Sequence, residues 1–118
     1  MNIEELRTFC LGLPSVTEDI KWGDNLVFSV AGKMFCLVDL EPPLRVSFKV
    51  PGEEFAELTS TPDIIQAPYF ARNMWVLVKD ENRLTTKEWE YYLRQSYELV
   101  KSKLSKKIRE ELDQDSEN

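Results

Sequence analysis

Five Lys or Arg side chains fall within nine positions, at Lys101, Lys103, Lys106, Lys107 and Arg109, in a chain of 118 residues whose formal net charge is −6. Clustered cations neutralise phosphate oxygens, the main source of sequence-independent affinity for nucleic acid. A helix C-terminus also favours cations, because the macrodipole concentrates partial negative charge there. Glu110, Glu111, Asp113, Asp115 and Glu117 follow directly, so a tail that folds back would screen the basic run. A second group of cations has a more regular setting. In "LRVSFKV", Arg45, Ser47 and Lys49 alternate with apolar residues, which places them together on one face of a strand, as a polar strip able to meet phosphates. Lys33 at a Gly-Lys turn and Arg72 with Asn73 ahead of Trp75 extend that strip. The candidate nucleic-acid-binding residues are therefore Lys33, Arg45, Lys49, Arg72 and Asn73.

Other chemistries find less support. The chain has no histidine, the side chain best suited to proton transfer near neutral pH and the commonest metal ligand. A Gly-x-Ser-x-Gly elbow is absent, and four scattered glycines make no phosphate-cradling loop. Tyr97 and Lys101 form a Tyr-x-x-x-Lys pair, but the Gly-rich nucleotide turn and doubly wound domain that accompany this pair in dehydrogenases are missing. Glu53 and Glu57 share a helix face, which by itself is solvated surface rather than a cation site. Cys10 and Cys36 sit among apolar residues and read as core thiols. The expectation is a protein that is not an enzyme and has no cofactor and no metal.

Composition bounds the class. The length suits one domain, and 42% hydrophobic with 31% charged residues is ordinary for a globular chain. No apolar stretch approaches the roughly 20 residues of a membrane helix, and "MNIEELRTFC" lacks the order of a signal peptide. A cytoplasmic protein without a membrane partner is expected. The acidic balance argues against a general nucleic-acid coat, while leaving room for a local basic patch.

These side chains need elements to hold them. Ile3, Leu6, Cys10 and Leu13 recur at helical spacing, and Gly12 and Pro14 end that helix. Ile20 and Trp22, two apart, suit a short edge strand. "NLVFSVAGKMFCLVDL" reads as a hairpin turning at Ala31 and Gly32, in which Val30 faces Lys33, Phe28 faces Phe35 and Leu26 faces Leu37 on the core side. After Pro42 and Pro43 comes the strand of Leu44, Val46, Phe48 and Val50, giving a sheet with one dry and one wet face. Pro51 opens a short helix, a loop spans "DIIQA", and "MWVLVK" is a further strand. Thr85 and Glu88 form a capping box for the last helix, whose apolar stripe runs from Trp89 to Leu104. Carried from about Thr86 to Leu112 it would be roughly 40 Å long. The resulting fold class is α+β, an antiparallel sheet with the N-terminal and long C-terminal helices packed on one face. The domain covers residues 1–112, and 113–118 form a disordered acidic tail.

Taken in order, "KWGDNLVFSVAGKMF", "VSFKVPGEEFAEL", "APYFARNMWVLV" and "SYELVKSKLSKKIRE" resemble the MmcQ/YjbR family of small bacterial proteins over nearly the whole chain. The resemblance implies a frataxin-like, or CyaY-like, α+β fold and weak DNA binding through a "double wing" surface. Carried residue by residue, it favours Lys33, Lys49, and Arg72 with Asn73. Met74 stands where the family often has His. Two alternatives accompany the DNA reading: a protein-interaction or small-ligand adaptor anchored by Trp22, Tyr69, Phe70 and Trp75, and, ranked below it, frataxin-like iron binding through Glu4, Glu5, Glu18 and Asp19.

Overall fold

In the computed structural model, residues 1–68 and 74–117 are described, 114–117 by backbone alone. The first helix, α1 (Ile3–Leu11), starts at a capping box in which Asn2 and Glu5 satisfy each other's backbone amides, and it ends at Gly12. Strands β1 (Val16–Lys21), β2 (Asn25–Val30), β3 (Lys33–Asp39) and β4 (Arg45–Lys49) form an antiparallel meander. Helix α2 (Gly52–Thr59) leads to β5 (Ile64–Gln66) and β6 (Trp75–Val78). The last two strands add to the sheet in the order β1-β2-β3-β4-β6-β5. β5 lies in the stretch read from sequence as a loop. Three residues between prolines carry too little periodicity to register as a strand, and pairing with β6 through Ile64↔Val78 and Gln66↔Val76 supplies what local sequence does not.

Thr85 and Glu88 form the expected capping box of α3 (Thr86–Ser102). Its stripe of Trp89, Leu93, Ser96, Tyr97 and Val100 is buried against one face of the sheet. Phe28, Cys36, Val38, Phe48, Val76 and Val78 meet it from the strands, and Leu6, Cys10 and Leu58 from α1 and α2. Phe35 packs edge-on against Tyr97 and Phe48 against Trp89, with ring centroids 5.5 and 6.0 Å apart. The fold is thus α+β, an open antiparallel sheet with helices on one face. Among the described residues no helix is long and apolar enough to cross a membrane.

Three expectations are corrected. The hairpin turn at Ala31 and Gly32 and the pair Val30↔Lys33 are as read, but a bulge between Phe28 and Ser29 leaves Phe28 opposite Cys36 and Leu26 opposite Val38. Phe35 is the extra residue, and because strand side chains alternate, everything after it changes face. Cys36 and Val38 point to the helices, while Leu37 and Asp39 point away. The single long helix is in fact two. α3 ends at Lys103, and α4 (Lys106–Glu117) begins after Ser105, whose Oγ accepts from Ile108 N–H at 3.3 Å. The break lets Leu112 reach the core at 7% exposure and Asp113 pair with Lys101 at 2.9 Å. α4 runs on to Glu117. Finally, the sheet face away from the helices is not uniformly wet: Val27, Ser47 and Trp75 on it are 2%, 2% and 4% exposed.

Candidate functional site

The open face is organised in rows across the strands. Asn25, Asp39 and Arg45 are direct partners across β2, β3 and β4 and make a polar row. Two residues along, Val27, Leu37, Ser47, Leu77 and Ile65 form a second, largely apolar row across five strands. Lys49 and Trp75 pair at the far end. Within β4 the alternation is as the sequence implied, with Arg45, Ser47 and Lys49 on this face and Val46 and Phe48 in the core.

The described candidate cations have different surroundings. Arg45 is engaged by Asp39 at 2.5 Å, so its charge is already met. Lys49, about 13 Å further along the strand, has no ion pair among the described residues. Burial, and after it the charge of Lys103, hold its ammonium below the ordinary lysine value of 10.5. Lys103 is the C-cap of α3, and it too has no ion pair among the described residues. Two cations therefore stand together beside a helix C-terminus, where the macrodipole offsets part of their repulsion. Lys33, exposed at the β2–β3 turn, lies at the same end of the sheet, roughly 10 Å from Lys49 by strand geometry, but as the partner of the core residue Val30 it stands on the helix side and does not extend the Arg45–Lys49 strip as the sequence suggested. Arg72, Asn73, Tyr69 and Phe70 lie outside the described residues.

Ser96 fixes this end. Its Oγ, fully buried, accepts from Lys49 N–H at 2.9 Å and donates to Phe35 C=O at 2.6 Å. The hydroxyl thereby bridges β3 and β4 where their ladder stops at Cys36↔Phe48, and it ties the Lys49 backbone to α3. Nothing in the sequence marks Ser96 apart from its place in an apolar stripe, where a serine is out of pattern.

Elsewhere the chemistry is structural. Tyr97 donates its hydroxyl to Pro14 C=O at 2.7 Å, and burial raises its pKa, opposite to the lowering that a catalytic Tyr-Lys pair requires. Lys101 lies 5.9 Å from the Tyr97 ring centroid as a cation–π partner. Of the frataxin-like carboxylates, Glu18 is taken by Arg7 in a two-bond contact. Among the described residues no three His, Cys, Asp or Glu converge as a metal site. Of the tryptophans proposed as anchors, Trp75 is buried, whereas Trp22, just past β1, is 68% exposed. Trp22 borders a cavity of about 730 Å³ on the open face.

Solved structures of other proteins share this fold. Protein DR2400 of Deinococcus radiodurans, a DUF419 domain, superimposes with a TM-score of 0.87 at 30% identity, over 95% of this chain and 88% of its own. A protein from Pseudomonas syringae matches with a TM-score of 0.70 at 20% identity, over 85% of this chain and 99% of its own, a likeness of fold alone. No curated protein matches. The YjbR family model covers residues 11–99, which takes in the whole sheet, Lys33, Lys49 and Ser96 but stops short of Lys103 and α4. On the strength of that match the chain belongs to the YjbR family, also called MmcQ/YjbR.

Proposed function

We propose that the protein is a non-enzymatic, cytoplasmic DNA-binding domain that holds phosphate oxygens at the Lys33, Lys49 and Lys103 end of its sheet. One observation carries this reading. In a chain of net charge −6, Lys49 is partly buried beside Lys103, and neither has a carboxylate partner among the described residues. Holding two like charges together is unfavourable, and an anion placed between them relieves the repulsion. A phosphate does this without reading the base, so binding is salt-sensitive and nearly independent of sequence. Arg45, already paired with Asp39, contributes little, and the acidic remainder of the surface keeps the affinity weak.

The test is fluorescence anisotropy of a labelled random-sequence duplex at low and moderate salt. Three phosphate contacts give a slope of log affinity on log salt of about −3. Lys49→Glu combined with Lys103→Glu is expected to weaken low-salt binding at least tenfold, and Arg45→Gln to leave it nearly unchanged. Undiminished affinity in the double charge reversal would remove this surface from consideration.

A further inference from the structure

The open face also carries a cavity whose lining includes none of the lysines. Leu37, Leu77, Ala67 and Pro68 make its apolar floor, Trp22 one wall, and Asn25, Asp39, Arg45 and Ser47 its polar edge. The volume, about 730 Å³, is that of a small-molecule pocket.

Its polar edge is left with unused hydrogen-bonding groups. Arg45 gives Nη2 to Asp39, but its Nε is buried without an acceptor, and a buried N–H without a partner is rare in native proteins. Ser47, 2% exposed, lines the cavity, and its hydroxyl has no hydrogen-bond partner among the described residues. Asn25 spends its Nδ2 on Trp22 C=O at 2.9 Å, leaving its side-chain oxygen to accept. The wall is built at some conformational expense. Trp22 has φ 49°, in the left-handed region that a bulky residue adopts unfavourably. That backbone, pinned by Asn25, sets the indole at the cavity mouth. Its ring is approached by Lys21 Nζ, 6.0 Å from the centroid, and otherwise stands exposed at the mouth.

The edge thus offers donors (Arg45 Nε, Ser47 Oγ) beside acceptors (Asn25 Oδ1, Asp39), with Asp39 and Arg45 cancelling in charge. A carboxylate ligand would face Asp39, and a purely apolar ring would leave Arg45 Nε unpartnered. We propose that this cavity binds an uncharged planar heteroaromatic ring bearing a C=O next to an N–H, the lactam edge of uracil or guanine, stacked on Trp22. The carbonyl accepts from Ser47 Oγ, or from Arg45 Nε once a small side-chain shift uncovers it, and the N–H donates to Asn25 or Asp39. The occupant's chemistry is the same for a free nucleoside and for an unpaired base in a single strand.

Nucleosides separate this site from the phosphate contacts, because they carry no phosphate. Uridine, guanosine and adenosine are each titrated into isotope-labelled protein up to about 10 mM, a range that detects millimolar affinity. Uridine or guanosine is expected to shift the Leu37, Ser47 and Leu77 amides and the Trp22 indole saturably, and adenosine, which lacks the lactam, to bind about tenfold more weakly. Trp22→Ala, an exposed position that leaves the core intact, should weaken binding about tenfold, and Ser47→Ala serves as a second variant. Repeating the series with single-stranded oligothymidylate identifies the source. Loss of strand binding in Trp22→Ala assigns the pocket to unpaired bases; an effect on nucleosides alone assigns it to a free metabolite. The proposal is overturned if neither lactam nucleoside gives saturable shifts, if adenosine binds equally well, or if binding survives Trp22→Ala unchanged.

Discussion

Replacing Ser96 with Ala tests how the Lys49 end of the sheet is held. The Oγ of Ser96 is wholly buried and serves two backbone groups, accepting from Lys49 N–H at 2.9 Å and donating to Phe35 C=O at 2.6 Å. Ala leaves both groups facing a methyl, and each orphaned buried group costs about 1–3 kcal/mol. Alanine's higher helix propensity returns about 0.5 kcal/mol. The expected net loss is about 1.5–5.5 kcal/mol, a large part of the roughly 5–15 kcal/mol that holds a domain folded. In thermal unfolding, at about 4 °C per kcal/mol for a chain of this size, Tm should fall by about 6–22 °C. Urea titration should show a lower midpoint with an unchanged slope, and the Lys49 amide should exchange faster with solvent. Ser102→Ala is the comparison, since its hydroxyl bonds Leu99 C=O on an exposed turn and its removal should stay within about 0.5 kcal/mol. Were Ser96→Ala also within about 0.5 kcal/mol of the parent, the two strands would be closing without the hydroxyl, and its role as a bridge would be refuted.

Further predictions concern the turn, the thiols and the cation pair. Ala31 occupies the left-handed region at φ 49°, so Ala31→Asn should stabilise by about 0.5–1 kcal/mol by urea titration; a loss of stability would mean the turn is not strained. The Cys36 thiol is pushed well up by burial, and after that by its hydrogen bond with Cys10, so Ellman's reagent should react with neither cysteine until the protein unfolds, and rapid labelling of the native state would contradict the core placement. Lys49 titrates below 10.5 in the folded chain, so the unfolded chain keeps the proton to higher pH. Stability should therefore rise with pH between the folded value and 10.5, and DNA affinity should fall as Lys49 loses its charge. Lys103→Gln should raise the Lys49 pKa in a side-chain NMR titration; no movement would show that the two ammonium groups do not interact.

Local sequence determined a good deal here. Capping boxes at Asn2 and Thr85, the turn at Ala31 and Gly32, the alternation through β4 and the stripe on α3 depend on neighbours within a few residues, and short-range rules suffice to read them. The family was legible too, in segments such as "KWGDNLVFSVAGKMF", and Lys33 and Lys49 were singled out as candidates by alternation and turn chemistry. Tertiary structure decided which of these residues meet. The bulge at Phe35 turns Leu37 and Asp39 to the open face, and sequence cannot place an extra residue whose only reason is to pack on Tyr97 and accept from Ser96. Arg45 was read as a free cation because its partner Asp39 is a cross-strand neighbour six residues away, invisible until the register is fixed. The pairing of Lys49 with Lys103, the fold-back of α4 and the cavity beside Trp22 likewise arise between elements. Propensity acts along the chain, whereas charge, burial and cavity shape act through space, and only the packed sheet and helices set those distances.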